Sequence, residues 1–278
     1  MSYQGLPCKD GVIGYFDSEY YDGSDFWLPS YGNLKAKVVN GQIGKDHCVY
    51  LESLSKGKAS NIEITNIPRN YSMLIYAVMS IDADRTTVAL DTGPKAGITI
   101  RARASGNTGI YLGQDVTHLG SIAKASVNIE KEKYYLFVLD YSPKNSQFYL
   151  NDTELYNISR NFLHITWNLF VDTISSISFN KNIISTNDYE SVYSGYAKMK
   201  IKDVVISTDH HNNFAKMENI KYLAKKNNIE LDQNNQKLIP DIKRLDSIAQ
   251  AYLIEKNKIN HKLFQKTCNA YRTGLRAK

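Results

Sequence analysis

Hydrophobic and polar residues alternate with a period of two from about residue 11 to residue 208, which is the pattern of half-buried β-strands. In the segment NIEITNI, for example, Ile62 and Ile64 fall on one face and Glu63 on the other. The runs SMLIYAVMSI and KYYLFVLDY are more continuously apolar, as expected of strands that are buried on both faces. Turn-forming stretches separate the runs and no helical period intervenes. The pattern predicts a sandwich or barrel rather than a parallel α/β sheet.

The segment AKMKIKD continues this alternation late in the chain. Ala197, Met199 and Ile201 fall on one face and three lysines, Lys198, Lys200 and Lys202, on the other. We expect a strand with one apolar face and one lysine face.

The period changes after residue 208, and two helices are predicted there. The first has Asn213 as its expected N-cap and Asn227 and Asn228 at its exit. Its apolar stripe consists of Phe214, Met217, Ile220 and Leu223. The second helix follows a polar linker, opens at Pro240 and ends near Gly274.

A heptad seam runs along the second helix and contains one lysine. The helix is longer than one face of a sandwich needs. It therefore either packs across the back of its own sandwich or docks on another chain. The partner-binding residues expected on it are Ile242, Leu245, Tyr252, Ile259, Leu263, Lys256, Lys262 and Lys266.

The chain carries a formal net charge of +6, and the whole excess lies in residues 241–278, which hold nine basic and three acidic residues. Such a segment can meet nucleic acid, an acidic partner or a membrane surface, or it can be the solvated face of a helix. No nucleic-acid-binding motif surrounds the basic residues. Charge and seam together favour a helix that anchors the chain on a partner surface.

The cysteines and the N-terminal segment indicate the cellular compartment of the protein. Cys8, Cys48 and Cys268 are odd in number and far apart, which argues against a disulfide framework and a zinc site. The N-terminus has no signal-like pattern and no apolar run approaches eighteen residues. We expect no membrane span, and a chain that stays in a reducing cytosol or leaves it without a standard signal.

Motifs for catalysis are not found. A glycoside hydrolase needs two carboxylates across the scissile bond, but Glu63 stands alone on its strand, and Asp82 and Asp84 follow a strand as turn residues would. No H-E-x-x-H is present. The sequence predicts no catalytic residue and no enzyme activity.

Metal binding also lacks a motif. The adjacent histidines of the segment Asp209–His211 would point to opposite faces of a strand, so a solvated or capping role is expected. A calcium site is possible but no D-x-[DN]-x-[DN]-G run supports it. The acidic loop residues that could act as ligands are Asp82, Asp84, Asp91 and Asp115. We expect their side chains to accept hydrogen bonds from the backbone of their own turns instead. No cofactor or metal is predicted.

Residues 15–33 concentrate seven aromatic and four acidic residues. Aromatic faces beside carboxylates can hold sugars, and they can equally fill the core where a β-fold begins. Phe16 and Phe26 are expected to be buried. The candidate ligand-binding residues at the rim of a cleft are Tyr20, Tyr21, Trp27 and Tyr31.

Three segments resemble the laminin-G-like, concanavalin A-like jelly rolls. KYYLFVLDYSPKNSQFYLNDTEL is similar to an aromatic-rich hairpin of that family, with Asp152 where the family often has glycine. SGYAKMKIKDVVISTDHHNNFAKMENIKYL resembles its last strand and the short helix that follows. GVIGYFDSEYYDGSDFWLPSYGN looks like its entry strand and aromatic loop as found in phage structural and tail proteins. The resemblance covers residues 11–226.

The resemblance implies a mainly β, concanavalin A-like jelly-roll sandwich with a helical C-terminal appendage. We expect the sandwich in residues 1–210, a helix closing it in 211–230 and the basic helical appendage in 231–278. It further implies a non-enzymatic virion structural protein, associated with capsid or tail, that is made in the host cytoplasm and assembles with other virion proteins or its own copies through the C-terminal helix. The alternatives are a carbohydrate-binding adhesin for host-surface glycans and a glycoside hydrolase.

Overall fold

The computed structural model describes residues 5–52, 60–68, 73–83, 87–91, 97–102, 108–113, 121–126, 129–141, 145–159, 176–180 and 197–232. Residues Met1–Leu231 form one compact unit, and Asp232–Lys278 forms a second. The second predicted helix, with its seam and partner-binding residues, lies outside the described residues. The loop acids Asp84 and Asp115 do so as well.

The compact unit is mainly β, as the alternation predicts. Its strands are β1 (Val12–Asp17), β2 (Phe26–Trp27), β3 (Tyr31–Gly32), β4 (Lys35–Val39), β5 (Gln42–Ile43), β6 (Val49–Glu52), β7 (Asn61–Thr65), β8 (Met73–Ala83), β9 (Thr87–Asp91), β10 (Gly97–Ala102), β11 (Thr108–Gly113), β12 (Ser121–Ser126), β13 (Tyr135–Tyr141), β14 (Asn145–Leu150), β15 (Thr153–Ser159), β16 (Ile177–Phe179) and β17 (Ala197–Ser207). A 3-10 turn (Ser18–Tyr20) follows β1, and one helix, α1 (Asn213–Lys226), follows β17.

The strands form two antiparallel sheets. Sheet A has the order β15-β14-β13-β8-β17-β1-β3, with β6 also paired to β17 and β5 to β6. Sheet B has the order β12-β11-β10-β9-β16-β7-β4-β2. Because β1 and β17 pair although they lie at opposite ends of the unit's sequence, the sheet order depends on long-range contacts. The predicted sandwich class is confirmed.

The main core lies between the sheets and takes one side chain in two from each strand. Phe16, Trp27, Ile62 and Ile64 belong to it, as do Met199 and Ile201 on β17. The expectation that Phe16 is buried is confirmed. Phe26 is half exposed, so the expectation for this residue is wrong. Its neighbour Trp27 points inward, and successive side chains of a strand take opposite faces.

A second core lies on the outer face of sheet A, where α1 covers the central strands. Ile220 and Leu223 of the helix pack on Tyr76, Val138 and Val205. This explains why the central strands of sheet A read as continuously apolar: both of their faces are buried. In the predicted helical stripe, Ile220 and Leu223 are buried and Met217 is partly buried, whereas Phe214 is 39% exposed.

The N-cap of α1 is Asn212, one residue before the expected Asn213, and its side chain accepts from the backbone N–H of Ala215. The helix ends at the predicted asparagines, with Asn227 as C-cap and Asn228 in the left-handed region. Within the described ranges, no helix has the length and hydropathy needed to span a bilayer.

Candidate ligand cleft

A cleft of about 420 Å³ opens on the outer face of sheet A, where α1 ends. Five chain segments converge there: the end of β1, the 3-10 turn, the loop between β5 and β6, the middle of β17 and the C-terminal end of α1. All of the lining residues are polar: Asp17, Ser18, Glu19, Asp46, His47, Lys202, Asp203, Lys226 and Asn227.

A β-bulge in β17 brings two consecutive side chains to this cleft. The pairing of β17 with β8 shifts between Ile201 and Asp203, so one extra residue, Lys202, is inserted. Before the bulge, odd-numbered residues such as Ile201 face the main core, and after it even-numbered residues such as Val204 do so. Lys202 and Asp203 therefore both line the cleft.

Two aspartates face each other directly across neighbouring strands at the base of the cleft. Asp17 of β1 and Asp203 of β17 are register partners. Like charges in that position repel one another. The ammonium of Lys226 lies between them, 2.7 Å from Oδ2 of Asp17 and 2.6 Å from Oδ1 of Asp203. The last turn of α1 thus supplies the positive charge that offsets the repulsion between Asp17 and Asp203.

Asp203 has partners for both carboxylate oxygens. Tyr15 donates its hydroxyl to Oδ1 at 2.8 Å, and the amide of Asn227 donates to Oδ2 at 2.6 Å. Burial raises the pKa of Asp203, although the ammonium of Lys226 opposes that shift. Burial and the neighbouring carboxylate of Asp203 raise the pKa of the Tyr15 hydroxyl. These bonds hold Asp203 and its partners in fixed positions. The residues nearer the mouth of the cleft are therefore the ones that can contact a ligand.

The loop between β5 and β6 forms a tight turn at the mouth of the cleft. Gly44 donates its N–H to the carbonyl of Cys48 at 2.8 Å, and a Cβ on Gly44 would lie 2.3 Å from the sulfur of Cys48. A side chain at position 44 would therefore force the thiol of Cys48 to move. His47 takes a positive φ of 51°, and its carbonyl accepts a hydrogen bond from the hydroxyl of Ser18. The turn therefore places Asp46 and His47 beside the 3-10 turn.

Tyr134 connects the two sides of the cleft. Its hydroxyl donates to Oδ2 of Asp46 at 2.5 Å, and the ammonium of Lys202 lies 4.7 Å from its ring centroid. Partial burial alone would raise the pKa of Asp46, but hydrogen bonds from Tyr134 and Cys48 outweigh it and keep that pKa below its usual value. Asp46 is therefore an ionised, exposed carboxylate at neutral pH.

The four aromatic residues proposed from sequence do not share one rim. Tyr21 and Trp27 are only 6% and 1% exposed, so the expectation that their rings meet a ligand is wrong. Tyr20 and Tyr31 are 59% and 39% exposed. Tyr20 directly follows Glu19 in the turn that lines the cleft. The ring of Tyr31 is covered in part by the ammonium of Lys9, 5.3 Å from its centroid.

Trp27 supports the cleft from behind. Its ring packs against Phe16 and Tyr21, with centroid distances of 5.6 and 6.2 Å. Its indole N–H donates to the backbone carbonyl of Asp17 at 3.1 Å. The tryptophan thus fixes the backbone at the cleft without reaching the ligand side.

The histidine pair after β17 is structural. The Nδ1 of His210 pairs with Asp140, which also pairs with the buried ammonium of Lys216. His211 is buried: the Tyr76 hydroxyl lies 2.9 Å from its Nδ1, and the carbonyl of Asp10 lies 2.9 Å from its Nε2. A neutral ring that accepts at Nδ1 and donates from Nε2 satisfies both partners.

Asp82 and Glu63, the acidic residues weighed from the sequence, do not line this cleft. No group of three or more His, Cys, Asp or Glu side chains in the described residues could hold a metal ion. Asp82 forms an ion pair with Lys131 at 3.0 Å. Glu63 lies on β7 in the other sheet.

Comparison with solved structures identifies proteins of the same fold. The chain is similar to the binding domain of botulinum neurotoxin serotype D/C, with a TM-score of 0.51 and 15% identity. It is similar to the neurotoxin DC binding domain in complex with SialylT, with a TM-score of 0.54 and 17% identity. It is also similar to Trypanosoma rangeli sialidase in complex with sialic acid, with a TM-score of 0.54 and 13% identity. No family model and no curated protein matches the sequence.

These matches cover most of this chain but only part of each other protein. They span 77%, 78% and 80% of the chain, but 52% of each toxin domain and 34% of the sialidase. At such identities, the likeness establishes a shared β-sandwich fold.

Proposed function

We propose that this chain is a non-enzymatic, carbohydrate-binding β-sandwich and that the cleft at the end of α1 is its ligand site. The observation that carries the proposal is a cleft of about 420 Å³ whose lining residues are all polar. Its volume falls in the range of about 300–1,000 Å³ that is usual for small-molecule sites.

The cleft has the chemistry that sugar hydroxyls need. A hydroxyl both donates and accepts hydrogen bonds. Glu19 and Asp46 can accept, and Lys202 can donate. The ring of Tyr134 lies under the ammonium of Lys202, 4.7 Å from its centroid, and helps to hold this donor at the cleft. The sugar complexes of the structurally similar proteins support this choice of ligand class.

A binding role is preferred to hydrolysis because the paired carboxylates are already engaged. Glycoside hydrolysis requires one carboxyl group to give a proton and another to attack or activate water. Asp203 is 1% exposed and has partners on both oxygens. Asp17 is bonded to Lys226 and to the backbone N–H of Glu19. Neither of these two carboxylates is available to a glycosidic bond. Asp46 is ionised and accepts hydrogen bonds from Tyr134 and Cys48, so within the described residues Glu19 has no second free carboxyl group beside it of the kind that hydrolysis requires.

Binding to a broad glycan array, followed by titration calorimetry with the best ligand, tests the proposal. We expect Asp46→Asn and Lys202→Met to weaken binding about tenfold or more, because each loses a charge-assisted hydrogen bond in the cleft. Glu63→Gln is the matched control, since Glu63 lies on the outer face of the other sheet. No binding to any glycan, or equal affinities for all variants, would overturn the proposal.

The finer role as a virion structural protein remains a prediction of the sequence. It depends on the helix predicted from sequence beyond residue 232, and the mass of the protein in solution provides its first test.

A further inference from the structure

The cleft has the opposite sign of charge from the chain as a whole. Four carboxylates and two lysines line it, an excess of two negative charges, whereas the full chain carries +6. If Asp203 held a proton, the excess would fall to one and keep its sign. A ligand in the cleft therefore meets a local negative charge inside a positive protein.

The carboxylates of the cleft that form no ion pair among the described residues are the ones exposed to solvent. Asp17 and Asp203 share the ammonium of Lys226 and are buried. Glu19 and Asp46 are exposed, and within the described residues neither forms an ion pair with a lysine or arginine. The two carboxylates that a ligand can reach are thus the two that form no such ion pair, although Lys200, which is paired with Glu132, attracts Asp46 from a greater distance.

The remaining lysine does not reverse this balance. Lys202 is half-buried and its ammonium lies over the ring of Tyr134. Hydroxyls of Ser18 and Tyr134 are directed to His47 and Asp46. An anionic sugar would face Glu19 and Asp46 with one cation to offset them, and like charges brought together in a site cost binding free energy.

We infer that the cleft selects sugars carrying a free, protonated amine over their uncharged N-acetylated counterparts, and both over sialylated sugars. The inference rests on the proposed function, because it names the ligand class of the same site. It sets this chain apart from the sialidase of similar fold, which was solved in complex with sialic acid.

The test compares the full chain's affinity within pairs of ligands that share a sugar backbone and differ in charge. Oligomers of glucosamine are titrated against oligomers of N-acetylglucosamine of equal length, and lactose against sialyllactose. Exposed ion pairs contribute factors of about two to five each, so two carboxylates predict a preference of roughly fourfold to twenty-fivefold for the amine at low salt. The preference should shrink in Asp46→Asn and Glu19→Gln, shrink at 0.5 M salt, and persist in Glu63→Gln.

Each outcome distinguishes the inference from the function on which it rests. Glycan binding with no preference for the amine, or with sialyllactose above lactose, overturns the inference and leaves the proposed function standing. An amine preference that Asp46→Asn and Glu19→Gln do not reduce also overturns it, since the charge at work would lie outside the cleft. No binding to any sugar overturns both. Because the whole chain is positive, a general electrostatic effect would favour the sialylated sugar. A preference for the amine would therefore have to come from the negative charge inside the cleft.

Discussion

Trp27 shows how one buried side chain can set the geometry of an exposed site. It fills the core beside Phe16 and Tyr21 and bonds to the backbone of Asp17. Its sequence neighbourhood is rich in exposed aromatic residues, yet its own contribution is to packing. Substitutions of Trp27 should therefore act mainly on the stability of the fold.

We predict that Trp27→Ala lowers the free energy of unfolding by about 3–5 kcal/mol, the usual cost of removing a large buried aromatic side chain. Tyr20→Ala is the matched control, because Tyr20 is exposed and should change stability by less than about 0.5 kcal/mol. Urea unfolding of both variants measures the difference. A Trp27→Ala protein as stable as the control would contradict the burial described above.

The thiol of Cys48 makes a second prediction at this scale. Burial, helped by the hydrogen bond to Asp46, raises its pKa to about 11. The thiolate is the reactive form, so native Cys48 at pH 8 should be alkylated far more slowly than the half-buried Cys8. Peptide mass spectrometry after timed iodoacetamide treatment separates the two sites. Equal rates in the native protein would contradict the prediction, and equal rates in urea are the control.

The sign of the accompanying pH effect follows from the same shift. Because the folded state holds the thiol proton more tightly than the unfolded state does, this stabilisation is complete below about pH 9 and is lost as the pH rises towards 11. Replacing Cys48 by alanine should remove that part of the alkaline loss of stability.

At the scale of elements, α1 holds the strand pair β1–β17 together at the cleft. Lys226 provides the only charge described between Asp17 and Asp203, and the helix covers the outer face of sheet A with Ile220 and Leu223. The helix therefore acts on the site through charge and on the fold through burial.

We predict that Lys226→Ala costs about 3–5 kcal/mol of stability, the usual result of leaving buried charge without its partner. Lys225→Ala, one residue away and exposed, should cost less than about 0.5 kcal/mol. Thermal unfolding at neutral pH compares them. Asp203→Asn in the Lys226→Ala background should recover part of the loss, because it removes one of the stranded charges, and a further loss there would contradict the account.

The strands were largely predictable because burial of one face imposes a period of two. The cleft was not, because it depends on the bulge at Lys202. The sequence does contain a sign of that bulge. The core-facing apolar residues have odd numbers up to Ile201 and even numbers from Val204 onward, whereas strict alternation would keep them odd. The aromatic cluster is hard to predict for a related reason: Phe26 and Trp27 are neighbours on opposite faces of one strand, and the sequence does not show which of the two faces the core.

At the scale of the whole molecule, sequence reasoning recovers the sandwich but not the site. The lining residues come from five segments, and the pairing of β1 with β17 that joins them spans almost the whole unit. Register between strands so distant in sequence is decided by packing. Asp17 and Asp203 are therefore ordinary strand-end acids in the sequence and direct partners in the fold.

The predicted assembly role of the C-terminal segment also belongs to this scale. If residues 239–278 mediate assembly, light scattering should show the full chain as an oligomer and residues 1–238 as a folded monomer. Circular dichroism of the shorter chain checks that it is folded. A full chain that is monomeric at the same concentration, or a truncation that fails to fold, would contradict the assembly role.

The most direct test of the central claim is the crystal structure of the full chain with the tightest-binding glycan from the array. We predict electron density for the sugar between the 3-10 turn and the C-terminal end of α1, with its polar groups within hydrogen-bond distance of Glu19, Asp46 or Lys202. A well-ordered sugar bound elsewhere on the sandwich, with this cleft filled by solvent alone, would contradict the account.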